Sequence, residues 1–149
     1  MSEHRVGVDW KLGDGDFTYE TYPREHTWRF AEGPEIAASA APEFLGKPEC
    51  VDPEQAFVAA VSSCHMLTFL AIAARKRMRV EAYADDAVGY LEKNEEGRLA
   101  VTRVELRPRI TFGGEGAPDA ETLEKLHESS HRNCFIANSV RCEIVVMPT

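Results

Sequence analysis

Four cysteines stand at positions 50, 64, 134 and 142 of this 149-residue chain, and two of them sit among residues that could make a thiol react. Cys64 belongs to Ser62-Ser63-Cys64-His65, a polar island inside an otherwise apolar stretch. Buried polar groups need partners, so this part of the chain faces a cavity, an interface or a second polar segment. Ser129-Ser130-His131-Arg132-Asn133-Cys134 is the candidate for that segment. A thiol is a useful nucleophile only as the thiolate, and its ordinary pKa of about 8.5 must be lowered by a cation, by hydrogen-bond donors or by a helix N-terminus. Cys64 lies far past the first turn of a helix begun at Asp52, draws little from the helix dipole, and so needs an Arg or a His. Cys142 falls on the apolar side of an alternating segment and Cys50 in a proline-flanked loop; both read as inert.

Metal binding is the rival chemistry. His127 and His131 are four apart on one helical face, Cys134 follows, and Cys64 or His65 could complete a Cys/His set. The sequence lacks a Cys-x-x-Cys pair and has no carboxylate between the histidines in the His-Glu-x-x-His arrangement. Neither a metal nor a cofactor is therefore expected. A ligand- or metal-binding module built on His127, His131 and Cys134 remains the non-catalytic alternative.

The elements that must position these residues are legible in outline. Arg5–Leu12 alternates apolar and polar residues and stops at Gly13-Asp14-Gly15, which reads as a strand and a turn. Phe17–Tyr22, His26–Phe30 and Glu35–Ala40 are further strand candidates, and Ala41–Cys50 reads as a loop. Asp52-Pro53-Glu54-Gln55 is a strong helix start, with Asp52 as N-cap, Pro53 at the first helical position and Gln55 placed for a capping box. Phe57, Val61, Cys64, Thr68 and Ala71 repeat at helical spacing, and Val58, Leu67, Leu70 and Ile72 broaden the stripe. Such a helix is expected to be buried nearly all round. It ends at the cations Arg75-Lys76-Arg77. Val80–Lys93 and Arg98–Phe112 read as two long strands joined at Asn94–Gly97, Asp119 to about Arg132 as an amphipathic helix with Leu123 and Leu126 inward, and Ser139–Met147 as a last strand. Arg103, Arg107 and Arg109 read as a solvated face, and Trp10 and Trp28 as core or interface aromatics. The order is α+β with mostly antiparallel pairing.

Composition bounds the function. The length suits one domain over residues 1–149. Twenty-five acidic against 17 basic side chains leave a net charge of −8 with no basic block, which argues against nucleic acid or an anionic membrane as partner. Ala56–Ala74 has the length of a membrane span but holds Ser62, Ser63, Cys64, His65 and Thr68, so a core helix is expected instead. The first ten residues carry Glu3, Arg5 and Asp9 and no apolar signal region, so a cytoplasmic address is expected, where disulfide stapling is neither needed nor usual.

Two motifs together resemble a known family. Asp52-Pro53-Glu54-Gln55-Ala56-Phe57-Val58-Ala59-Ala60-Val61-Ser62-Ser63-Cys64-His65-Met66 resembles the peroxidatic-cysteine helix of the OsmC/Ohr thiol peroxidases: Pro-Glu, a run of small and apolar residues, then Cys ten positions after the Glu. Asn133-Cys134-Phe135-Ile136-Ala137-Asn138-Ser139-Val140 resembles the second motif, a Cys followed by Asn-Ser or Asn-Ala leading into the last strand. The resemblance spans roughly Trp10 to Val146, and the element order agrees throughout.

The resemblance implies an OsmC-like fold, antiparallel sheets around a long buried central helix, and an intertwined homodimer. It implies reduction of hydroperoxides, organic ones by preference, with Cys64 as peroxidatic and Cys134 as resolving cysteine, and an external dithiol as reductant. It also implies an Arg near the N-terminus, paired to Glu54, that holds the thiolate; Arg24 is the best positional match and Arg29 the second. His65 directly after Cys64 suggests a sub-branch. On a continuous helix Glu54 and Cys64 lie about 15 Å apart along the axis. Either the helix breaks near Ser62-Ser63, or Arg24 bridges part of the gap, or two chains build each site. A hot-dog-like thioesterase, with Glu54 as its carboxylate, is the other enzymatic alternative.

Overall fold

The computed structural model describes residues 1–149, which divide into two compact units, Met1–Ala56 and Phe57–Thr149. The first carries one antiparallel sheet of three strands, β1 (Val6–Asp9), β2 (His26–Phe30) and β3 (Glu35–Ala38), in that spatial order. Phe17–Tyr22 is a turn and not the strand its composition suggests: the Thr18 carbonyl accepts from the amides of Thr21 and Tyr22, and the Thr18 and Thr21 hydroxyls bond each other at 2.7 Å. Local bonds to hydroxyl side chains compete with ladder pairing. The aromatic rings gather instead, with Phe17 and Tyr22 5.5 Å apart and Trp10 against both. Ala41–Cys50 is a loop with one 3-10 turn at Pro42–Phe44.

Helix α1 (Pro53–Arg75) starts as its sequence dictates. The Gln55 amide donates to Asp52 Oδ1 at 2.7 Å and the Asp52 amide donates to Gln55 Oε1 at 3.2 Å, a reciprocal capping box. The helix is unbroken through Ser62-Ser63, which removes a break there as the answer to the Glu54–Cys64 spacing.

In the second unit α1 rests on two sheets. Val61 packs with Val104 and Leu106 in one cluster, and Phe69 and Ala73 pack with Leu126 in another. The two long strands expected between α1 and the second helix are four. β4 (Val80–Asp85) pairs with β7 (Pro108–Phe112), and β5 (Val88–Lys93) pairs with β6 (Leu99–Leu106) through the turn Asn94–Gly97. Both breaks have local causes. Pro108 brings no amide hydrogen for a continuing ladder, and Asp85 Oδ1 accepts the Arg107 amide at 2.6 Å, turning the chain between β6 and β7. Val104 and Leu106 therefore face one cluster while Ile110 and Phe112 face the other. Gly89 is required where β5 meets α1, since a Cβ there would lie 2.4 Å from Val58 Cγ2. The last strand, β8 (Glu143–Val146), is shorter than expected and pairs parallel to β6; all other strand pairs are antiparallel.

Helix α2 (Ala120–Asn133) is capped by Asp119, whose Oδ1 accepts the Thr122 amide at 2.8 Å. Arg103 and Arg107 are not merely solvated: both pair with the buried Glu105. Arg107, then the Tyr90 hydroxyl and Arg103, hold the Glu105 carboxyl below its usual range.

One expectation about α1 is corrected. Its buried residues are Val61, His65, Phe69 and Ala73, a strict every-fourth stripe, while Ala59, Ala60, Leu67 and Ala71 are exposed. The sheets and α2 cover one side of the helix, so the chain alone leaves the other apolar side open. Replacing Asp52 by Ala removes the cap and should lower stability by about 1 kcal/mol. The check is a fall in the urea midpoint at unchanged slope; an unaltered midpoint would mean that the cap contributes nothing here.

Candidate functional site

Cys64 lies in the middle of α1, and Cys134 is the C-cap residue of α2. The structure brings the two together: the Cys64 thiol is a hydrogen-bonding neighbour of the Cys134 thiol, and both cysteines are free. Their settings differ. Cys134 is 1% exposed and Cys64 is half-buried. Burial, with the Cys64 thiol beside it, pushes the Cys134 thiol pKa up, and the backbone amides of Ala137 and Ile136 oppose that shift. The Ala137 amide donates to Cys134 Sγ at 3.4 Å from the 3-10 turn Ala137–Ser139. Cys142 is also pushed up by burial.

Cys64 opens on a groove of about 630 Å³. Its walls include Ala60, Leu67, Ala71, Ile72 and Phe135, with Ser63, Thr68, Ser129 and Asn133 as polar members and Arg75 at the far end. Thr68 Oγ1 donates to the Cys64 carbonyl, so it is fixed by its own helix. The site thus joins a half-exposed thiol, a buried second thiol and a mostly apolar trough.

The histidines that the rival metal reading would use are arranged otherwise. His65 Nε2 lies 3.1 Å from His127 Nδ1, with the ring planes 6° apart and the centroids 5.5 Å apart. Near-parallel planes with so short a nitrogen separation place the rings edge to edge, as an N–H···N bond requires. Both residues are buried, and burial lowers both pKa values from 6.5 to about 4, so the pair is neutral at physiological pH. No three His, Cys, Asp or Glu side chains gather in a way that could hold a metal ion. The pair was not foreseen, although one signal pointed to it. His65 occupies the buried Val61–Phe69 stripe of α1, where an imidazole needs a partner from the facing element.

In the first unit, Arg24 is buried and has no carboxylate partner. Its guanidinium donates to the carbonyls of Tyr22 and Tyr19 and lies 3.6 Å from the Tyr22 ring centroid. The Arg24–Glu54 ion pair implied by the resemblance is not formed within this chain, and Glu54 makes no salt bridge. Arg29, the second match, is exposed and committed to Asp9 in a bidentate pair.

A family model described as OsmC-like protein matches residues 46–148. The chain belongs to the OsmC-like family. It is 51% identical to an OsmC-like protein of unknown function from Vibrio cholerae, over 100% of both chains with a TM-score of 0.96. An organic hydroperoxide resistance protein from Elizabethkingia anophelis shares the fold at 19% identity, over 99% of this chain and 96% of that one, with a TM-score of 0.71. The organic hydroperoxide resistance protein OhrB of Bacillus subtilis does so at 14% identity, over 99% and 98%, with a TM-score of 0.69. No curated protein matches the sequence.

Two outcomes follow for the OsmC-like chain. Under native conditions iodoacetamide should label Cys64 at least about tenfold faster than the buried, protonated Cys134. Peptide mapping checks this, and equal rates would contradict the burial difference. Because folding lowers the pKa of His65 and His127, the unfolded chain binds more protons between pH 6.5 and about 4. Stability is therefore full above pH 6.5 and is lost as the pH falls toward 4. Denaturation midpoints at pH 7 and pH 5 read that difference, and the loss should shrink when both histidines are replaced.

Proposed function

We propose that this protein is a thiol-dependent peroxidase that reduces organic hydroperoxides. The observation that carries the reading is the juxtaposition of the half-exposed Cys64 with the buried Cys134 beside a largely apolar groove. The Cys64 thiolate attacks the distal peroxide oxygen. The O–O bond breaks, two electrons leave the sulfur, and the alkoxide takes a proton and departs as the alcohol. Cys64 is left as a sulfenic acid. The Cys134 sulfur attacks it, its thiol proton leaves with the hydroxyl group as water, and a Cys64–Cys134 disulfide remains. An external dithiol restores both thiols by exchange, becoming a disulfide itself. Exposure sets the order: a peroxide in the groove meets Cys64 before Cys134.

The cation that favours the Cys64 thiolate is Arg24 in this reading. It is buried and unpaired, while Arg29 is engaged by Asp9. An Arg suits the task because its charge does not titrate and its fork can hold a carboxylate and a peroxide oxygen at once; Glu54 would be that carboxylate. The working unit is a homodimer. The open apolar side of α1, with Leu67 at 60% and nearby Phe135 at 81% exposure, is more than a soluble chain leaves bare without purpose. A reducing cytoplasm supplies the dithiol and keeps the resting cysteines free.

Reduced protein given one equivalent of cumene hydroperoxide should lose two thiols and yield a Cys64–Cys134 disulfide. Cys64→Ser should abolish peroxide consumption, and Arg24→Ala should slow it by about a hundredfold or more at unchanged fold. Sedimentation should give twice 16.6 kDa. If Cys64→Ser consumes peroxide as fast as the parent, the reading fails.

A further inference from the structure

The two cysteines sit on different helices, and one polar bond joins those helices in the buried region beside them. His65 follows Cys64 on α1, and His127 precedes Cys134 by seven residues, two turns of α2. Apart from the two thiols themselves, the α1–α2 packing around this bond is apolar, Leu126 against Phe69 and Ala73, and such packing is non-directional. We infer that the His65–His127 hydrogen bond is a clamp that sets α2 on α1 in the one register that brings Cys134 to Cys64. The inference rests on the peroxidase reading and extends it: the histidines are positioning residues for the disulfide-forming step and take no part in the first oxidation.

Two observations support the clamp. First, the bond is costly for stability alone. His65 Nδ1 and His127 Nε2 are buried without partners, and two apolar side chains of similar shape would be cheaper. Buried polar groups of this kind are best attested as devices that fix register. Second, the bond has a single operating condition. It needs at least one neutral ring to accept, and two imidazolium rings at this spacing repel. The groups facing the pair are Phe69 from α1, 4.7 Å from the His127 ring, and His131 from α2, whose charge disfavours protonation of His65. From β4 comes Tyr83, edge-on to Phe69, its hydroxyl kept neutral by burial. Glu124 and Glu128 of α2 line a cavity together with His127, but neither carboxylate acts on either ring to favour its charged form. The clamp is therefore closed at neutral pH and opens in acid.

The test separates the two oxidation steps. Sulfenic acid at Cys64 is captured with dimedone after cumene hydroperoxide, and disulfide is followed by quenched mass analysis. His127→Leu should slow disulfide formation by about tenfold or more, since small misplacements of reacting atoms are costly, and should leave sulfenic acid formation unchanged. His127→Gln keeps a donor and an acceptor but cannot titrate. It should restore most of the rate, and the ratio of parent to His127→Gln rates should be flat above pH 6.5 and fall as the pH approaches 4. The same comparison with diamide, which oxidises neighbouring dithiols without peroxide and is itself reduced to the hydrazine, distinguishes the two claims. Failure of the parent with peroxide but not with diamide would sink the peroxidase reading alone. The clamp is overturned if His127→Leu forms the disulfide at the parent rate with diamide, or if His127→Gln shows the parent's acid loss.

Discussion

The every-fourth stripe of α1 is the constraint on which the second unit depends. Val61 and Phe69 each anchor an apolar cluster, one on the β5-β6-β8 sheet and one between the β4-β7 sheet and α2. His65 lies between them on the same stripe, and Cys64 is one residue away, rotated by about 100° onto the helix's open side. Packing one face of α1 therefore fixes where the thiol points. Because α2 is held against the same stripe through Leu126 and His127, its C-cap residue Cys134 is carried to Cys64 without a covalent bond between the sulfurs.

Much of this was legible in the residues themselves, and the exceptions have identifiable causes. The start of α1 followed from Asp52, Pro53 and Gln55, because a capping box is local chemistry that tertiary context seldom overrides. The sequence puts both motif cysteines beside polar segments, and in the structure the two thiols are neighbours. Phe17–Tyr22 was misread because its aromatic residues favour strands while its threonine hydroxyls favour a turn, and the hydroxyls won. The four-strand division between α1 and α2 was missed because Val104, Leu106, Ile110 and Phe112 keep one alternation across Pro108; the proline, with the Asp85 contact to Arg107, decides the break. The parallel pairing of β8 with β6 is a long-range choice that alternation cannot express. His127 was read with His131, its neighbour on the helix, while its actual partner is 62 positions away in sequence.

Electrostatics divides the roles within an acidic protein. Arg103 and Arg107 are spent on Glu105, Arg29 on Asp9 and Arg109 on Asp86, whereas Arg24 is buried without a carboxylate and rests on aromatic rings and carbonyls. A guanidinium kept from every anion of its own chain is the form of cation that a thiolate and a peroxide could use. The raised pKa of Cys134 complements this. In the proposed mechanism, a thiol that stays protonated and covered would be preserved until its neighbour is oxidised, and would bring the proton that the departing hydroxyl needs.

The claim at the centre of this account is that Cys64 is oxidised first and Cys134 second. The most direct measurement uses Cys134→Ser, in which the first step is allowed and the second is not. Given one equivalent of cumene hydroperoxide and dimedone, this variant should carry a single dimedone adduct on Cys64 and retain free Cys50 and Cys142. An adduct on another cysteine, or unreacted Cys64 with the peroxide still present, would contradict it.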